Sequence, residues 1–482
     1  MNLKYILLFS VLFFFTCSLM AQQKRSVEYK SSLEGNIATE KKLPFWQVSN
    51  RFGVVPPTTN GLLQAGFFSG FTGNHSIDFA YGLSGAAYLS RDKNKAILDE
   101  AYVAAKWKKI RLDLGFIRPE VEYNGISSTN GNIVNSGNSR TMPGYNLSTD
   151  FIKVPLTGEI LSFKFNWSDY LMIDNLYADN VHLHHKSFYI NIKPVPRIDI
   201  IVGLEQWAQW AGTTPQGKQP SSFRDYVRIV CAEEGGKGAS QSDSLNVLGN
   251  HLGREHLRIN YNADNYTLSF YHDIPFEDGS GTRFANIPDG TYGLYYGSKN
   301  KKQWVSDVMY ELTYTKNQSG RYHDRKATPE EMEKQDPHSP FYGRVVLGGN
   351  DNYFNHGEYR SGWTYYGNTI GTPFITPMAP DKDGITLGVY NNRLIAHYIG
   401  MKGYFMKKLP YLLRLSYSLN YGTYNTPLPN RPEQFSFGLE VGVLRNPKVP
   451  FHIDLGIYGD YGKLLSNNFG VSVRLSRNGI IK

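Results

Sequence analysis

The sequence predicts an all-β protein: a transmembrane antiparallel β-barrel of about 18 strands, with long loops or plug elements that carry short helices. Three observations lead to this fold class. Apolar and polar residues alternate over one segment after another, and aromatic residues stand at both ends of several apolar strand faces. Glycine (47 residues) and tyrosine (34 residues) are also abundant in this chain of 482 residues.

The stretch 411–422 shows the alternation most clearly. Its odd-numbered residues from Tyr411 to Tyr421 are all leucine or tyrosine, whereas the even-numbered residues from Arg414 to Gly422 are polar or glycine. Side chains alternate between the two faces of a strand, so one face is apolar and the other polar. The pattern recurs at 434–441 and 468–475, and further predicted strands are 76–90, 97–107, 110–118, 160–168, 187–193, 197–207, 255–262, 265–273, 304–316, 385–390 and 394–405. Short turns at Asn262–Asn265 and Asn391–Asn392 are typical of hairpins.

A soluble β-sandwich would show the same period, and two features favour the barrel. Tyr411 and Tyr421 stand at the two ends of one apolar face, and Phe451 and Tyr461 repeat the arrangement. Ten residues rise roughly 33 Å, which at a tilt of about 45° gives roughly 23 Å, close to the apolar band of a barrel. The opposite face carries charged and amide residues with many glycines, which suits a water-filled lumen.

The start of the chain predicts export. Lys4, an apolar run at 6–15 and Ala21 form a signal peptide over residues 1–21, with cleavage after Ala21. A lipoprotein anchored through Cys17 is the alternative. Residues 22–61 read as an N-terminal periplasmic or plug arm and residues 62–482 as the outer-membrane barrel. After cleavage only Cys231 remains, so an internal disulfide is excluded.

Charge and composition exclude further classes. No later stretch reaches the roughly 18 apolar residues of a membrane helix. The formal net charge of +9 would suit nucleic acid, but export argues against that partner. A basic surface instead suits lipopolysaccharide or an acidic polymer.

Four stretches do not look like strands, namely 22–61, 119–148, 211–253 and 317–360. In the third, Phe223, Tyr226, Val227 and Val230 recur at helical spacing and suggest a short amphipathic helix. In the fourth, Thr328-Pro-Glu-Glu331 has the form of a capping box with proline at the first helical position. Such long excursions read as outer loops or plug elements.

Two histidine- and tryptophan-bearing motifs could bind a ligand. His182 and His184 share a strand face, as metal ligands would, but a polar lumen position or a tyrosine-rich interface without a ligand is the favoured explanation. Trp207 and Trp210 follow Glu205; they suit stacking on sugar rings, or else a tryptophan belt at the membrane interface.

The densest polar motif lies at 348–367, where amides, aromatics and charges are packed between glycines. It suits a glycan site, and its alternative is a plug that satisfies its own hydrogen bonds. The candidate glycan-binding residues are Trp207, Trp210, Asn352, Tyr353, Asn355, His356, Glu358, Arg360, Trp363 and Tyr365. The chain shows no hydrolase elbow, Walker loop or dinucleotide fingerprint, so we expect no catalytic residue, metal or cofactor.

Three further motifs resemble the capsule-assembly Wzi family of outer-membrane proteins, in a form typical of Bacteroidetes-like sequences. They are Pro44-Phe45-Trp46 with Asn50-Arg51-Phe52-Gly53, then His184-His185-Lys186-Ser187, and finally Asp351 through Trp363 to Pro373. The resemblance implies an eighteen-stranded, occluded barrel with a lectin-like, non-enzymatic role in holding exported capsular polysaccharide. The arm at 22–43 departs from the family because it lacks a clear periplasmic helical bundle.

We therefore expect an outer-membrane protein that binds exported polysaccharide and helps to assemble or attach capsule. The expected partners are capsular polysaccharide or exopolysaccharide, outer-membrane lipids and lipopolysaccharide, and the barrel-assembly machinery during insertion. A porin or substrate-specific channel is the alternative, because long loops and a polar inner face fit it too. An outer-membrane enzyme acting on lipid or glycan is the third class.

Overall fold

The computed structural model describes residues 26–236, 247–277, 284–321, 324–339, 342–345, 349–446 and 448–481. They form one closed antiparallel barrel of eighteen strands, which confirms the predicted fold class. The strands are β1 (Val27–Ala38), β2 (Asn60–Ser69), β3 (Ile77–Ser90), β4 (Lys95–Trp107), β5 (Ile110–Phe116), β6 (Pro143–Thr149), β7 (Leu161–Leu171), β8 (His182–Val195), β9 (Ile198–Trp210), β10 (Asn250–Asn262), β11 (Tyr266–Phe276), β12 (Gly290–Ser298), β13 (Asp307–Tyr314), β14 (Arg393–Phe405), β15 (Leu409–Gly422), β16 (Glu433–Leu444), β17 (His452–Gly462) and β18 (Asn468–Ile481). Ile152–Lys153 continues β6, because both segments pair with β7.

The first and last strands close the barrel. β1 pairs with β18 from Val27 opposite Ile481 to Ala38 opposite Gly470, and with β2 on its other side. The predicted arm at 22–61 is therefore wrong for 27–38, which is barrel wall. Ser31 and Gly35 interrupt the outward apolar face of β1. The alternation of apolar and polar residues is therefore weak there, and the strand was not recognised from the sequence. The predicted signal peptide at 1–21 lies outside the described residues.

The two ends of the barrel differ in the length of their connections. At one end, where both termini lie, the connections are short, such as 108–109 and 196–197. At the other end the chain makes long excursions at 39–59, 117–142, 211–249 and 315–392. Bacterial outer-membrane barrels have short periplasmic turns and longer extracellular loops. We therefore assign the end with the long excursions to the cell exterior.

Three of these excursions fold into the lumen, and we call 39–59, 117–142 and 349–392 the plug segments. The first begins with helix α1 (Phe45–Val48), and the second contains a 3₁₀ turn at Tyr123–Gly125. Trp46 and Trp363 are fully buried in the core that the three segments share. The segments are also bonded to one another, since Asn50 Nδ2 donates to Ser128 O at 2.6 Å and Trp363 Nε1 donates to Val134 O at 2.7 Å.

Both predicted helices are confirmed. Helix α2 (Phe223–Cys231) and helix α3 (Pro329–Met332) each begin with a complete capping box, built on Ser222 and Thr328 respectively. Four short ribbons complete the structure: Thr213–Thr214 with Gly217–Lys218, Arg325–Lys326 with Arg344–Val345, Thr364–Tyr365 with Asn368–Thr369, and Thr376–Pro377 with Val389–Asn391. Over the described residues, no helix is long and apolar enough to cross a bilayer.

One predicted strand and one predicted hairpin are wrong. Within 385–390 only the last two residues are extended, and they pair inside the lumen with Thr376–Pro377. Asn391 and Asn392 are not a hairpin turn, because β14 begins at Arg393 and pairs with β13. Their amides instead bind the interior: Asn391 Nδ2 donates to Asn420 Oδ1 at 2.9 Å, and Asn392 Nδ2 to Tyr353 O at 2.8 Å.

Candidate functional site

A pocket of about 160 Å³ lies between the plug segments and the inner wall of β15 and β16, toward the extracellular end. Its lining is uncharged throughout, combining hydroxyl and amide groups with rings and aliphatic side chains. The lining residues of this extracellular pocket are Phe45, Ser49, Asn138, Asn368, Thr369, Pro373, Phe374, Thr376, Pro377, Ser416, Ser418, Gln434, Ser436, Leu464 and Leu465. Each plug segment and the wall contribute to it, so it exists only in the assembled barrel.

Local hydrogen bonds fix the walls of the extracellular pocket. Helix α1 holds Phe45, whose backbone N–H donates to Asp460 Oδ2 on β17 at 3.0 Å. The Phe45 ring stacks on Phe374 with centroids 5.7 Å apart and planes 21° apart. Asn138 Nδ2 donates to Thr369 O at 3.1 Å, and Leu465 N–H to Gln434 Oε1 at 2.9 Å. The pocket is thus preorganised, with two rings and several amides in fixed positions.

The extracellular surface also carries a polar and aromatic cluster. The guanidinium of Arg360 lies 5.1 Å from the ring centroid of Tyr177. The hydroxyl of Tyr177 donates to Gln216 Oε1 at 3.1 Å. Arg360 is exposed and Glu358 is partly exposed, so these two of the sequence-predicted residues can meet a ligand from solvent.

The predicted aromatic residues lie instead within the protein. Trp207, Tyr353, Trp363 and Tyr365 are all buried. Trp207 stacks on His185 at 3.8 Å and donates to Glu205 Oε1 at 2.8 Å. Their rings have no free face for a sugar. For Tyr353, Trp363 and Tyr365 this arrangement agrees with the self-satisfied plug, the alternative that the sequence left open, whereas Trp207 faces the lumen and so lies in no belt at the membrane interface.

The asparagine side chains of the polar motif form hydrogen bonds within the protein instead of facing a ligand. Asn355 Nδ2 donates to Asn352 Oδ1 and to Val389 O, both at 3.0 Å. Asn355 Oδ1 accepts the backbone N–H of Val389 at 2.8 Å, and Asn392 Nδ2 donates to Asn352 Oδ1 at 2.7 Å. These bonds tie the turn at 352–355 to the chain just before β14.

His356, another candidate glycan-binding residue, stabilises a turn of the backbone. Its Nδ1 accepts the backbone N–H groups of Glu358 and Tyr359, both at 3.2 Å, which requires the neutral ring. Burial lowers the pKa of His356 to about 4. The stability that His356 contributes is complete above its ordinary pKa of about 6.5 and is lost as the pH falls toward about 4.

Acidification should therefore loosen the turn at His356. At about pH 5 we expect a local loss of about 1 to 2 kcal/mol relative to about pH 7.5. Limited proteolysis in 349–360 should become correspondingly faster at the lower pH. His356→Asn keeps an acceptor that does not titrate and should flatten this pH profile. An unchanged profile in that variant would assign the effect to another group.

The histidine pair and Trp210 lie on the outer face of the wall. His182 is exposed and packs against Trp210 with ring centroids 5.2 Å apart. His184 is buried and hydrogen-bonded to Asp169 Oδ1 at 3.0 Å. The two imidazoles therefore have separate aromatic and carboxylate partners, and Trp210 is remote in the fold from the extracellular pocket.

Buried charges attach the second plug segment to the wall. Arg254 on β10 donates to Glu205 at 2.8 Å, to Asp273 at 2.7 Å and to the backbone oxygen of Gly131 at 2.7 Å. On β13, Glu311 accepts the backbone N–H of Ser128 at 2.7 Å. A larger cavity of about 440 Å³ adjoins this network and has both basic and acidic lining residues.

Sequence reasoning missed the extracellular pocket as a site, although it had quoted parts of it. Phe45 belongs to the first motif of the family resemblance, and Thr369 and Pro373 belong to the last. The two motifs are far apart in sequence and meet only in the folded plug. The resemblance of both motifs to the same family was the available signal of a site. That the two motifs lie next to each other in the fold could not be predicted from the sequence.

Comparison with known proteins decides the family. The sequence profile of the capsule assembly protein Wzi matches residues 50–332, more than half of the chain. The chain belongs to the Wzi family of capsule assembly proteins. That is a family of outer-membrane barrels and not an enzyme family, which confirms the expected location of this Wzi-family protein in the outer membrane. No curated protein sequence matches it.

Solved structures give the same fold. The Wzi-family barrel is similar to Wzi of Escherichia coli, described as an outer membrane protein involved in group 1 capsule assembly and as a carbohydrate-binding β-barrel. The identity is 14%, 92% of this chain and 83% of that chain are covered, and the TM-score is 0.55. For OccK5 and OccK9 of Pseudomonas aeruginosa the identities are 9% and 10%, 95% of this chain and 99% of each of those chains are covered, and both TM-scores are 0.47.

Proposed function

We propose that this Wzi-family protein binds exported polysaccharide at its extracellular end and holds capsule at the cell surface, without catalysing a reaction. The observation that carries the proposal is the extracellular pocket, an uncharged cleft of rings, amides and hydroxyls in a capsule-assembly barrel. Ligand sites typically combine an apolar lining with a few well-placed polar groups, and this pocket has both.

The size of the pocket suits part of a polymer. At about 160 Å³ it is smaller than the roughly 300 Å³ and more of sites for drug-sized ligands. One sugar ring would enter, with its apolar face toward the partly exposed ring of Phe45 and its hydroxyls toward Asn368, which is also partly exposed. The rest of the chain would lie across the extracellular end of the barrel, where Arg360 and Glu358, which are outside the pocket, offer charged contacts.

The filled lumen supports retention rather than transport. Trp46, Trp363 and Tyr398 are at most 1% exposed, and the plug segments are hydrogen-bonded to one another and to the wall. A channel would need these segments to leave the lumen. The buried charges of Glu205, Arg254 and Asp273 oppose that movement, because they are hydrogen-bonded to the second plug segment at 131–133 and such bonds are costly to break.

The pocket can be blocked without disturbing the fold. Leu465→Arg places a long charged side chain at the pocket and keeps the backbone bond to Gln434. We expect binding of purified capsular polysaccharide to weaken by about tenfold or more, equivalent to about 1.4 kcal/mol. In the native host, polysaccharide should move from the cells into the medium.

Two comparisons make the test decisive. Leu156→Arg makes the same change on a fully exposed turn at the periplasmic end and should behave like the parent protein. Arg360→Ala tests the charged cluster. If polysaccharide binding weakens in Arg360→Ala but not in Leu465→Arg, the site lies at the charged cluster and not in the pocket. Unchanged capsule retention after deletion of the whole gene would contradict the proposed function.

A further inference from the structure

Helix α2 lies outside the barrel, against the face of the wall that is turned toward the membrane. On β9, Glu205, Trp207 and Gln209 face the lumen, where Gln209 Nε2 donates to the backbone oxygen of Gly362 at 3.1 Å. Alternate residues on a strand point to the opposite face. Ala208 is one of these, and it packs with Ile229 of α2 and with Leu248.

The helix covers a set of polar side chains on the outer wall, which we call the covered patch: Asp169, His184, Lys186, Gln206 and His251. Tyr226 of α2 donates its hydroxyl proton to Asp169 Oδ2 at 2.9 Å, and Trp167 Nε1 donates to the Tyr226 oxygen at 3.2 Å. Lys186 donates to the backbone oxygen of Val230.

The segment that follows the helix completes the cover. His251 bonds through Nε2 to Leu248 O and through Nδ1 to Gln206 Nε2, both at 2.8 Å. Without this cover, a carboxylate, a lysine and two histidines would face lipid at the level where other strands carry apolar residues. Unpartnered polar groups in hydrocarbon are costly, so helix α2 and Leu248 have a physical reason to cover the wall here.

The side of α2 turned away from the wall is apolar. Phe223 is 81% exposed and Val227 is 42% exposed, and the two lie one helical turn apart. Val230 extends the same face. Arg224, which is exposed, and Arg228 occupy another face, so the helix has separate sides for the wall, for apolar contact and for charge.

This apolar face continues the lipid-facing surface of the barrel. On the periplasmic side of the covered patch, Phe188, Val202 and Leu204 point outward from β8 and β9 and are exposed. Tyr226 and Val230 of α2 bond to Asp169 and Lys186, so the helix lies on the extracellular side of the three apolar residues. The helix thereby carries the apolar band of the wall over a stretch where the wall itself is polar.

We propose that α2 is an interfacial helix that binds lipid of the outer leaflet. Phe223 and Val227 contact acyl chains, and Arg224 lies at the level of the phosphate-bearing headgroups. Amphipathic helices of this kind bury their apolar face roughly 5 to 10 Å into the boundary between headgroups and acyl chains. The proposal is independent of polysaccharide binding, because α2 and the extracellular pocket lie on different faces of the wall.

The exposed thiol of Cys231 at the end of α2 provides the probe. A Cys17→Ser background leaves it as the single thiol of the chain. The purified full-length barrel is labelled at Cys231 with an environment-sensitive fluorophore and reconstituted into phosphatidylcholine–phosphatidylglycerol vesicles that contain nitroxide lipids. We expect emission shifted to shorter wavelength, and stronger quenching by a nitroxide near the headgroup than by one deep in the acyl chain.

Matched variants separate lipid contact from other causes. Asp92→Cys in a Cys231→Ser background places the fluorophore on the exposed extracellular turn at 91–94 and should give water-like, unquenched emission. The double change Phe223→Ser and Val227→Ser should return the Cys231 probe toward water-like emission while unheated gel mobility remains that of a folded barrel. Water-like, unquenched emission at Cys231 in the parent would overturn the proposal. Energy transfer between labelled copies that persists on dilution with lipid would overturn it too, by placing a second copy on α2.

Discussion

Replacing Arg254 with methionine should destabilise the barrel by about 3 to 5 kcal/mol, because the carboxylates of Glu205 and Asp273 would keep their charges without a cation. Glu205 and Asp273 are both buried, so their carboxylates would be poorly hydrated in the absence of the guanidinium. The variant also removes a donor from Gly131 O, which holds the second plug segment to the wall. The free energy of unfolding in urea, measured in detergent micelles, is the quantity to compare with the parent.

The chain offers a matched control for this change. Arg197 forms an ion pair with Asp264 on a periplasmic turn, and both side chains are more than half exposed. Exposed pairs contribute at most about 1 kcal/mol, so Arg197→Met should leave stability almost unchanged. Adding Glu205→Gln to Arg254→Met should recover part of the loss. Equal effects of the two single arginine variants would show that the buried network does not hold the plug.

Trp363→Ala should cost about 3 to 5 kcal/mol and open a path through the lumen. The indole of Trp363 is fully buried, packs edge-on against Trp207 at 6.3 Å and donates to Val134 O. Its removal leaves a cavity where the second and third plug segments meet, and it deletes a bond between them. Planar-bilayer recordings should therefore show frequent large openings in the variant and few in the parent.

Trp304→Ala is the corresponding control, because that indole is 58% exposed near the periplasmic turns. It should neither open the barrel nor lower its stability by a comparable amount. Large steady openings in the parent protein itself would contradict the plugged lumen and revive the channel alternative. If neither variant shows channel openings, the plug stays in the lumen without the contacts of Trp363.

The sequence was sufficient for most strands of the wall, because the alternation of a strand depends only on its own residues. The alternation from Tyr411 to Tyr421 is a local property, and the same holds for the helical spacing of Phe223 and Val227 and for the capping box at Thr328. These predictions needed no knowledge of neighbouring strands, and the structure confirms all of them.

Features that depend on residues far apart in the chain were harder to predict from the sequence. The strand β12 contains three glycines and no charged residue, so its alternation is weak and it was not predicted. The motif around Trp363 reads the same whether it faces sugar or the interior of a plug. Only its bond to Val134, a residue in another plug segment, distinguishes the two. The extracellular pocket likewise combines residues from three plug segments and two strands.

The pairing of β1 with β18 also constrains the order in which the molecule can be built. Until the last strand arrives, the sheet keeps two open edges, whose N–H and C=O groups find no water within hydrocarbon. The plug segment 39–59 is hydrogen-bonded to the last two strands: Phe45 N–H donates to Asp460 on β17, and Gln47 Nε2 donates to Val471 O on β18. The segment therefore reaches its final place only when the strand that seals the wall has arrived. The wall therefore closes and the plug segment 39–59 takes its final position in the same last step of assembly. A chain arrested before β18 would have neither a closed wall nor a completed plug.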